Sequence, residues 1–213
     1  MLAGLFINAW SFIGLFLLIM AGCFFEFIKI IKKIKGNRYL YYLPLGIIYI
    51  IIPVLMMIDL GITLTFYTKD NLPPWIFSYS ALVPCAIIFS IWINDTMAYL
   101  VGSFIGKTPF SSISPKKTWE GTIGGALLCV IVIALLGYYI PAAKIIRWQN
   151  WLCIAAICAV FGTLGDLLES KLKRMADLKD SGSFMPGHGG FLDRFDSLLI
   201  ATPFVWLYIK LLF

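Results

Sequence analysis

The chain has 213 residues, of which 61% are hydrophobic and 13% charged, with a formal net charge of +6 and a single histidine. A mean hydropathy of +0.91, with apolar runs longer than about 18 residues, excludes an ordinary water-soluble domain and points to an all-α, polytopic membrane bundle. The positive excess lies beside apolar runs, where it suits anionic lipid, phosphate and topology, so no nucleic-acid partner is expected.

The first apolar run, residues 5–30, is too long for a signal-peptide h-region and no basic stretch precedes it, so it reads as a retained spanning helix. Lys29, Lys32, Lys33, Lys35 and Arg38 follow, with Gly36-Asn37 as the breaker. A second helix is expected over 39–58, with Pro53 tolerated because neighbouring helices satisfy the freed carbonyl. After a polar loop at 68–74, a third helix over 76–101 carries Asp95. The connection 102–118 leads to a fourth helix over 119–140, whose Gly121 and Gly125 make a G-x-x-x-G face for close approach of another helix. Helices over 151–174 and 196–213 complete a six-helix single domain, 1–213, without internal repeats. The cysteines Cys23, Cys85, Cys129, Cys153 and Cys158 all fall in apolar runs, form no metal-ligand pattern and read as small buried residues.

Alternation of six helices puts segments 29–38, 102–118 and 171–195 on one side, with thirteen of the seventeen Lys and Arg. By the positive-inside rule that side is cytosolic and both termini lie outside.

Segment 170–196 is the chemical centre of gravity, holding five of the seventeen basic residues, four of the eleven acids and the only histidine. Asp166, Glu169, Ser170 and Lys173 follow helical spacing and share one face. A carboxylate near the end of an apolar span needs a polar cavity, an ion partner or a metal, so Asp166 reads as functional, and Glu169 is left open. Gly182, Pro186, Gly187, Gly189 and Gly190 make a loop whose N–H groups suit phosphate oxygens, or else a flexible connector. Asp193 and Asp196, three residues apart at the start of the last helix, face one way. With Asp166 they offer hard oxygen ligands for Mg²⁺, the alternative being carboxylates that favour the helix dipole. His188 reads as a structural hydrogen-bond partner or as a donor to a leaving phosphate. Asp95 is either functional or an interhelical hydrogen-bonding group. Lys116 and Lys117 bind phosphate or serve as topology charges.

Three stretches resemble one family. Ser170-x-Leu172-Lys173-Arg174, Lys179-Asp180-x-Gly182 and Pro186-x-His188-Gly189-Gly190-x-x-Asp193-Arg194-x-Asp196 look like the signature of the phosphatidate cytidylyltransferases, or CDP-diacylglycerol synthases. Asn94-Asp95-Thr96-x-Ala98-Tyr99-x-x-Gly102 and the turn Ser114-Pro115-Lys116-Lys117-Thr118-Trp119-Glu120-Gly121 resemble two further family stretches, extending the likeness over roughly residues 90–213. The resemblance implies that CTP and phosphatidic acid give CDP-diacylglycerol and pyrophosphate with Mg²⁺, one ion or two. It implies a metal centre at Asp166, Asp193 and Asp196, with Lys173 and His188 in catalysis. Substrate contacts are expected from Ser170, Arg174, Lys179, Asp180, Gly189, Gly190, Arg194, Lys116, Lys117 and Asp95. It also implies a homodimer in the cytoplasmic membrane with its active site facing the cytosol. Two rival readings are a CTP-dependent lipid-alcohol kinase and an ion-coupled transporter, the latter leaving the glycine-rich loop without a purpose.

Overall fold

The computed structural model describes residues 2–63, 79–111, 113–182 and 189–212. These are almost wholly helical, and Pro109 and Thr118 form an isolated antiparallel bridge. A short α1, Leu2–Phe6, precedes α2, Ala9–Lys35. Asn8 starts α2 with a capping box: its Oδ1 accepts from the Ser11 N–H at 2.8 Å, and its own N–H donates to Ser11 Oγ at 3.1 Å. Lys32, Lys33 and Lys35 close the last turn of α2, where cations complement the carbonyl end of the helix.

The second expected helix is present in pieces. A 3₁₀ turn over Gly36–Tyr42 leads into α3, Leu43–Gly46, then a π-helical turn over Ile47–Ile51, then α4, Ile52–Thr63. Pro53 has no N–H for the carbonyl four residues earlier and its ring crowds that carbonyl, so the wider turn sits where a regular helix is hardest to keep. The polar loop at 68–74 and the expected helix start at Ile76 lie outside the described residues. Beyond them, α5 is Leu82–Ile105, α6 is Trp119–Tyr139, α7 is Trp148–Met175 and α8 is Leu192–Leu212. α8 begins four residues before the expected start, so Asp193 lies in its first turn.

Four stretches among the described residues are long and apolar enough to cross a membrane: Ala9–Ile62, Leu82–Ile105, Trp119–Tyr139 and Trp148–Met175. α8, with two acids and an arginine at its start, is not among them. The helices pack in sequential pairs, α5 along α6 and α7 along α8, while α2 and α4 close over α8. Phe12, Phe16, Met57, Ile87, Trp151 and Ile154 fill the interior, whereas Leu18, Phe25, Ile48, Leu127 and Ile131 are exposed, the outward apolar surface that lipid requires.

The G-x-x-x-G face is used as expected. A Cβ on Gly125 would stand 2.6 Å from the backbone nitrogen of Ala98 in α5, and one on Gly121 would stand 2.6 Å from the Ala98 carbonyl oxygen. Gly125→Val is therefore expected to force α5 and α6 apart at a cost of about 1–3 kcal/mol, read as a lower thermal midpoint in detergent.

Candidate active site

One end of the bundle gathers the polar segments. Lys33, in the last turn of α2, donates to the Asp177 carbonyl just past α7 at 3.4 Å, which puts the C-terminal ends of both helices on one side. The connection between α5 and α6 is tied there by its own backbone: Phe110 N–H donates to Lys117 O at 2.7 Å and Trp119 N–H to Thr108 O at 3.0 Å. Glu120, in the first turn of α6, accepts from the Lys107 N–H at 3.2 Å, the Thr108 N–H at 3.1 Å and the Thr108 hydroxyl at 2.8 Å. Thr118 caps α6 by accepting from the Gly121 N–H at 3.1 Å, and the Phe110 and Trp119 rings meet edge-on at 4.5 Å between centroids. The turn bearing Lys116 and Lys117 is thus held at both ends.

Beneath this turn lies a cavity of about 440 Å³ lined by Asn94, Asp95, Ala98, Tyr99 and Gly102 of α5, by Ser114, Lys116, Lys117 and Thr118 of the turn, and by Thr163 and Asp166 of α7. Three separate stretches of sequence therefore share one hollow. Lys117 crosses it to form an ion pair with Asp166. Asn94 is 3% exposed, donates to Asp95 Oδ1 at 3.4 Å and has no hydrogen-bond partner for its own Oδ1 among the described residues.

Asp166 is also the outermost of three acids. It lies with Glu169 and Asp196 so that one ligand oxygen from each falls within 4.8 Å of the others. Glu169 is 1% exposed and Asp196 is 7% exposed. Ser170 donates to Asp166 Oδ1 at 3.3 Å, one helical turn along α7. Lys173 Nζ stands 2.5 Å from Glu169 Oε2 and 2.5 Å from Asp193 Oδ1, bridging α7 and α8. The other Asp193 oxygen accepts from the Ser181 N–H at 2.8 Å, the Ser181 hydroxyl at 2.9 Å and the Gly190 N–H at 2.8 Å.

The donor set fits a hard divalent cation. Lys117 pairs with Asp166 and Lys173 with Glu169 and Asp193, so four carboxylates, with Asp196, gather around two ammonium groups in a largely buried cluster. Glu169 Oε1 is buried with no hydrogen-bond partner among the described residues, an oxygen placed as a metal ligand would be.

The structure brings Asp95, Lys116, Lys117 and Asp166 to the cavity, and Asp166 and Asp196 to the acid cluster with Ser170 beside them. It adds Glu169 to that cluster and sets Asp193 one step away, engaged by Lys173 and the loop. The Gly190 amide, one of those suited to phosphate oxygens, donates to Asp193 instead, as does the amide of Ser181. Gly189 has φ 81°, which favours glycine, and a Cβ there would lie 2.7 Å from Asp193 Oδ2. Lys179 and Asp180 are exposed on the turn after α7. Arg174 is exposed and donates to the Leu178 carbonyl at 3.5 Å, and Arg194 is exposed on the first turn of α8. Pro186, Gly187 and His188 lie outside the described residues. Sequence reasoning missed Glu26 altogether: this acid in the middle of α2 is 5% exposed and accepts from the Ser181 hydroxyl and the Phe191 and Leu192 N–H groups. A lone carboxylate inside an apolar run was the available signal.

The sequence is similar to those of several known proteins. Over 122 residues the chain is 44% identical to the phosphatidate cytidylyltransferase of Bacillus subtilis (strain 168), covering 57% of this chain and 45% of that protein. Over 155 residues it is 37% identical to the phosphatidate cytidylyltransferase of Thermotoga maritima, covering 71% and 57%. Over 134 residues it is 44% identical to phosphatidate cytidylyltransferase 4, chloroplastic, of Arabidopsis thaliana, covering 61% and 33%. The chain thus spans between 33% and 57% of the length of these relatives. The model of the cytidylyltransferase family matches residues 77–212, a stretch that takes in Asp95, the Lys116–Lys117 turn, the three clustered acids and all of α7 and α8. On that match, the chain belongs to the cytidylyltransferase family.

Proposed function

We propose that this chain transfers the cytidylyl group of CTP to phosphatidate, releasing pyrophosphate and forming CDP-diacylglycerol. The observation that carries the reading is the cavity in which Lys117 meets Asp166, because that one contact joins a hollow lined by two lysines to a cluster of hard oxygen ligands.

In this reaction an oxygen of the lipid phosphate forms a bond to the α-phosphorus of CTP while the bond to the departing pyrophosphate breaks. A phosphomonoester with a second pKa of about 6 is mostly dianionic at neutral pH, so no strong general base is needed. The protein's part is alignment and charge balance. Lys116 and Lys117 would hold phosphate oxygens at the cavity. Asp193 would keep the Lys173 ammonium aimed at the acid cluster. Asp166, Glu169 and Asp196 would hold Mg²⁺, which when bound neutralises phosphate charge and orients the reacting groups.

The polar end of the bundle carries the basic turn of α2 and the Lys116–Lys117 turn together, which supports placing it on the cytosolic side of the cytoplasmic membrane. On this reading α2, the α3–α4 stretch and the four later long helices cross the bilayer, and the acyl chains stay in lipid. Cross-linking in detergent reads whether a second copy pairs with the chain, as the resemblance implies.

The test is a liposome assay with Mg²⁺, phosphatidate and CTP labelled at the α or the γ phosphate. Label from the α position in the lipid, with γ label leaving as pyrophosphate, is the expected result. Transfer of γ label to an added polyprenol, with no α label reaching phosphatidate, overturns it in favour of a kinase. Lys117→Ala is expected to raise the KM for CTP about tenfold, equivalent to about 1.4 kcal/mol of binding, with a smaller change in kcat, checked by initial rates over a CTP series.

A further inference from the structure

Glu26 lies on α2, outside the residues that the family model matches, yet it holds the loop on which the site is built. Its Oε1 accepts from the Phe191 N–H at 3.0 Å, and its Oε2 accepts from the Leu192 N–H at 2.9 Å and the Ser181 hydroxyl at 2.7 Å. The two amides belong to the start of α8, where N–H groups have no partner within the helix, so a carboxylate from another helix satisfies them and favours the dipole.

The glycines on both sides make room for this carboxylate. A Cβ on Gly182 or on Gly190 would overlap the Glu26 carboxylate oxygens. One turn earlier on the same face of α2, a Cβ on Gly22 would lie 2.6 Å from the Phe191 ring. Gly182 and Gly190 therefore both pack against a side chain that α2 supplies.

Ser181 connects this anchor to the site. Its hydroxyl carries one proton and stands within reach of two carboxylates, Glu26 Oε2 at 2.7 Å and Asp193 Oδ2 at 2.9 Å. When the proton is drawn to Glu26, Asp193 keeps its full charge for Lys173, which in turn reaches Glu169 of the acid cluster.

We propose that Glu26 is a positioning residue of the active site, fixing Asp193 and Lys173 through Ser181 and the start of α8. Its role in turnover rests on the cytidylyltransferase reading; its role in holding the loop does not. The test uses the intact protein in detergent, with Glu26→Gln, Ser181→Ala, the double variant, and Cys23→Ala as a packing control in the same helix. An amide in place of the carboxylate sets an N–H₂ against converging donors. Amide hydrogen exchange across 190–193 is therefore expected to quicken at least tenfold in Glu26→Gln and to stay unchanged in Cys23→Ala. In the labelled-CTP assay Glu26→Gln is expected to lose kcat at least tenfold with KM for CTP within twofold, and Ser181→Ala to do likewise. Because the two act in one chain of contacts, the double variant is expected to be no slower than the worse single. Unchanged exchange at 190–193, or losses in kcat that multiply in the double variant, would overturn the proposal. A wild-type protein that makes no CDP-diacylglycerol overturns the function reading instead, and the exchange measurement still decides whether Glu26 holds the loop.

Discussion

Asp166→Asn is expected to lower kcat by about 10³-fold, a loss of roughly 4 kcal/mol of transition-state stabilisation, while the protein stays folded. Asp166 is the side chain shared by the cavity and the acid cluster, so the substitution removes charge where phosphate and cation would meet. Its side chain is 30% exposed and the amide is nearly isosteric, so the fold has little reason to respond. Steady-state rates beside a thermal melt in the same detergent separate the two effects. Retention of more than a tenth of wild-type kcat would remove Asp166 from the metal centre.

Lys173→Met is expected to act first on stability. The Lys173 side chain is 14% exposed and sits 2.5 Å from carboxylate oxygens of both Glu169 and Asp193. Taking the ammonium away leaves two buried carboxylates facing each other, a change that costs about 3–5 kcal/mol when one partner of a buried ion pair is deleted. A large fall in thermal midpoint is the expected reading. Adding Glu169→Gln and Asp193→Asn to Lys173→Met removes the uncompensated charge and is expected to restore most of that midpoint, because neutral groups of similar shape pack without an ionic partner. Activity is not expected to return with it, since two carboxylates of the site are gone. A triple variant as unstable as the single would show that packing of the lysine stem, rather than charge, is what the site loses.

The helices were largely legible from apolar run length, and the exceptions have local causes. The 39–58 run is uniformly apolar, which says nothing of the 3₁₀ and π turns that interrupt it; Pro53 was visible, but its effect on the turn before it depends on neighbouring packing. The site divides in the same way. Asp166, Ser170 and Lys173 fall on one face because they are close in sequence, and the structure keeps them there. Glu169 shares that spacing, but spacing alone does not say that its far oxygen ends buried beside Asp196. Lys117 offered two readings, and its ion pair with Asp166 crosses from a loop to a helix that follows much later in the chain. Glu26 was the hardest to place: a lone carboxylate in an apolar run marks it, but its partner Ser181 lies 155 residues away and nothing local names that partner. Contacts made within one helical turn can be read from the sequence, whereas those between α2 and the α7–α8 loop exist only once the chain is folded.

The ion pair between Lys117 and Asp166 neutralises the cavity in the absence of any ligand. An anion that recruits the lysine leaves the carboxylate without its partner, and a cation that recruits the carboxylate frees the lysine. Each ligand would thereby spare the other the work of separating the pair, so the two would bind cooperatively, and thermodynamic reciprocity would make the two enhancements equal.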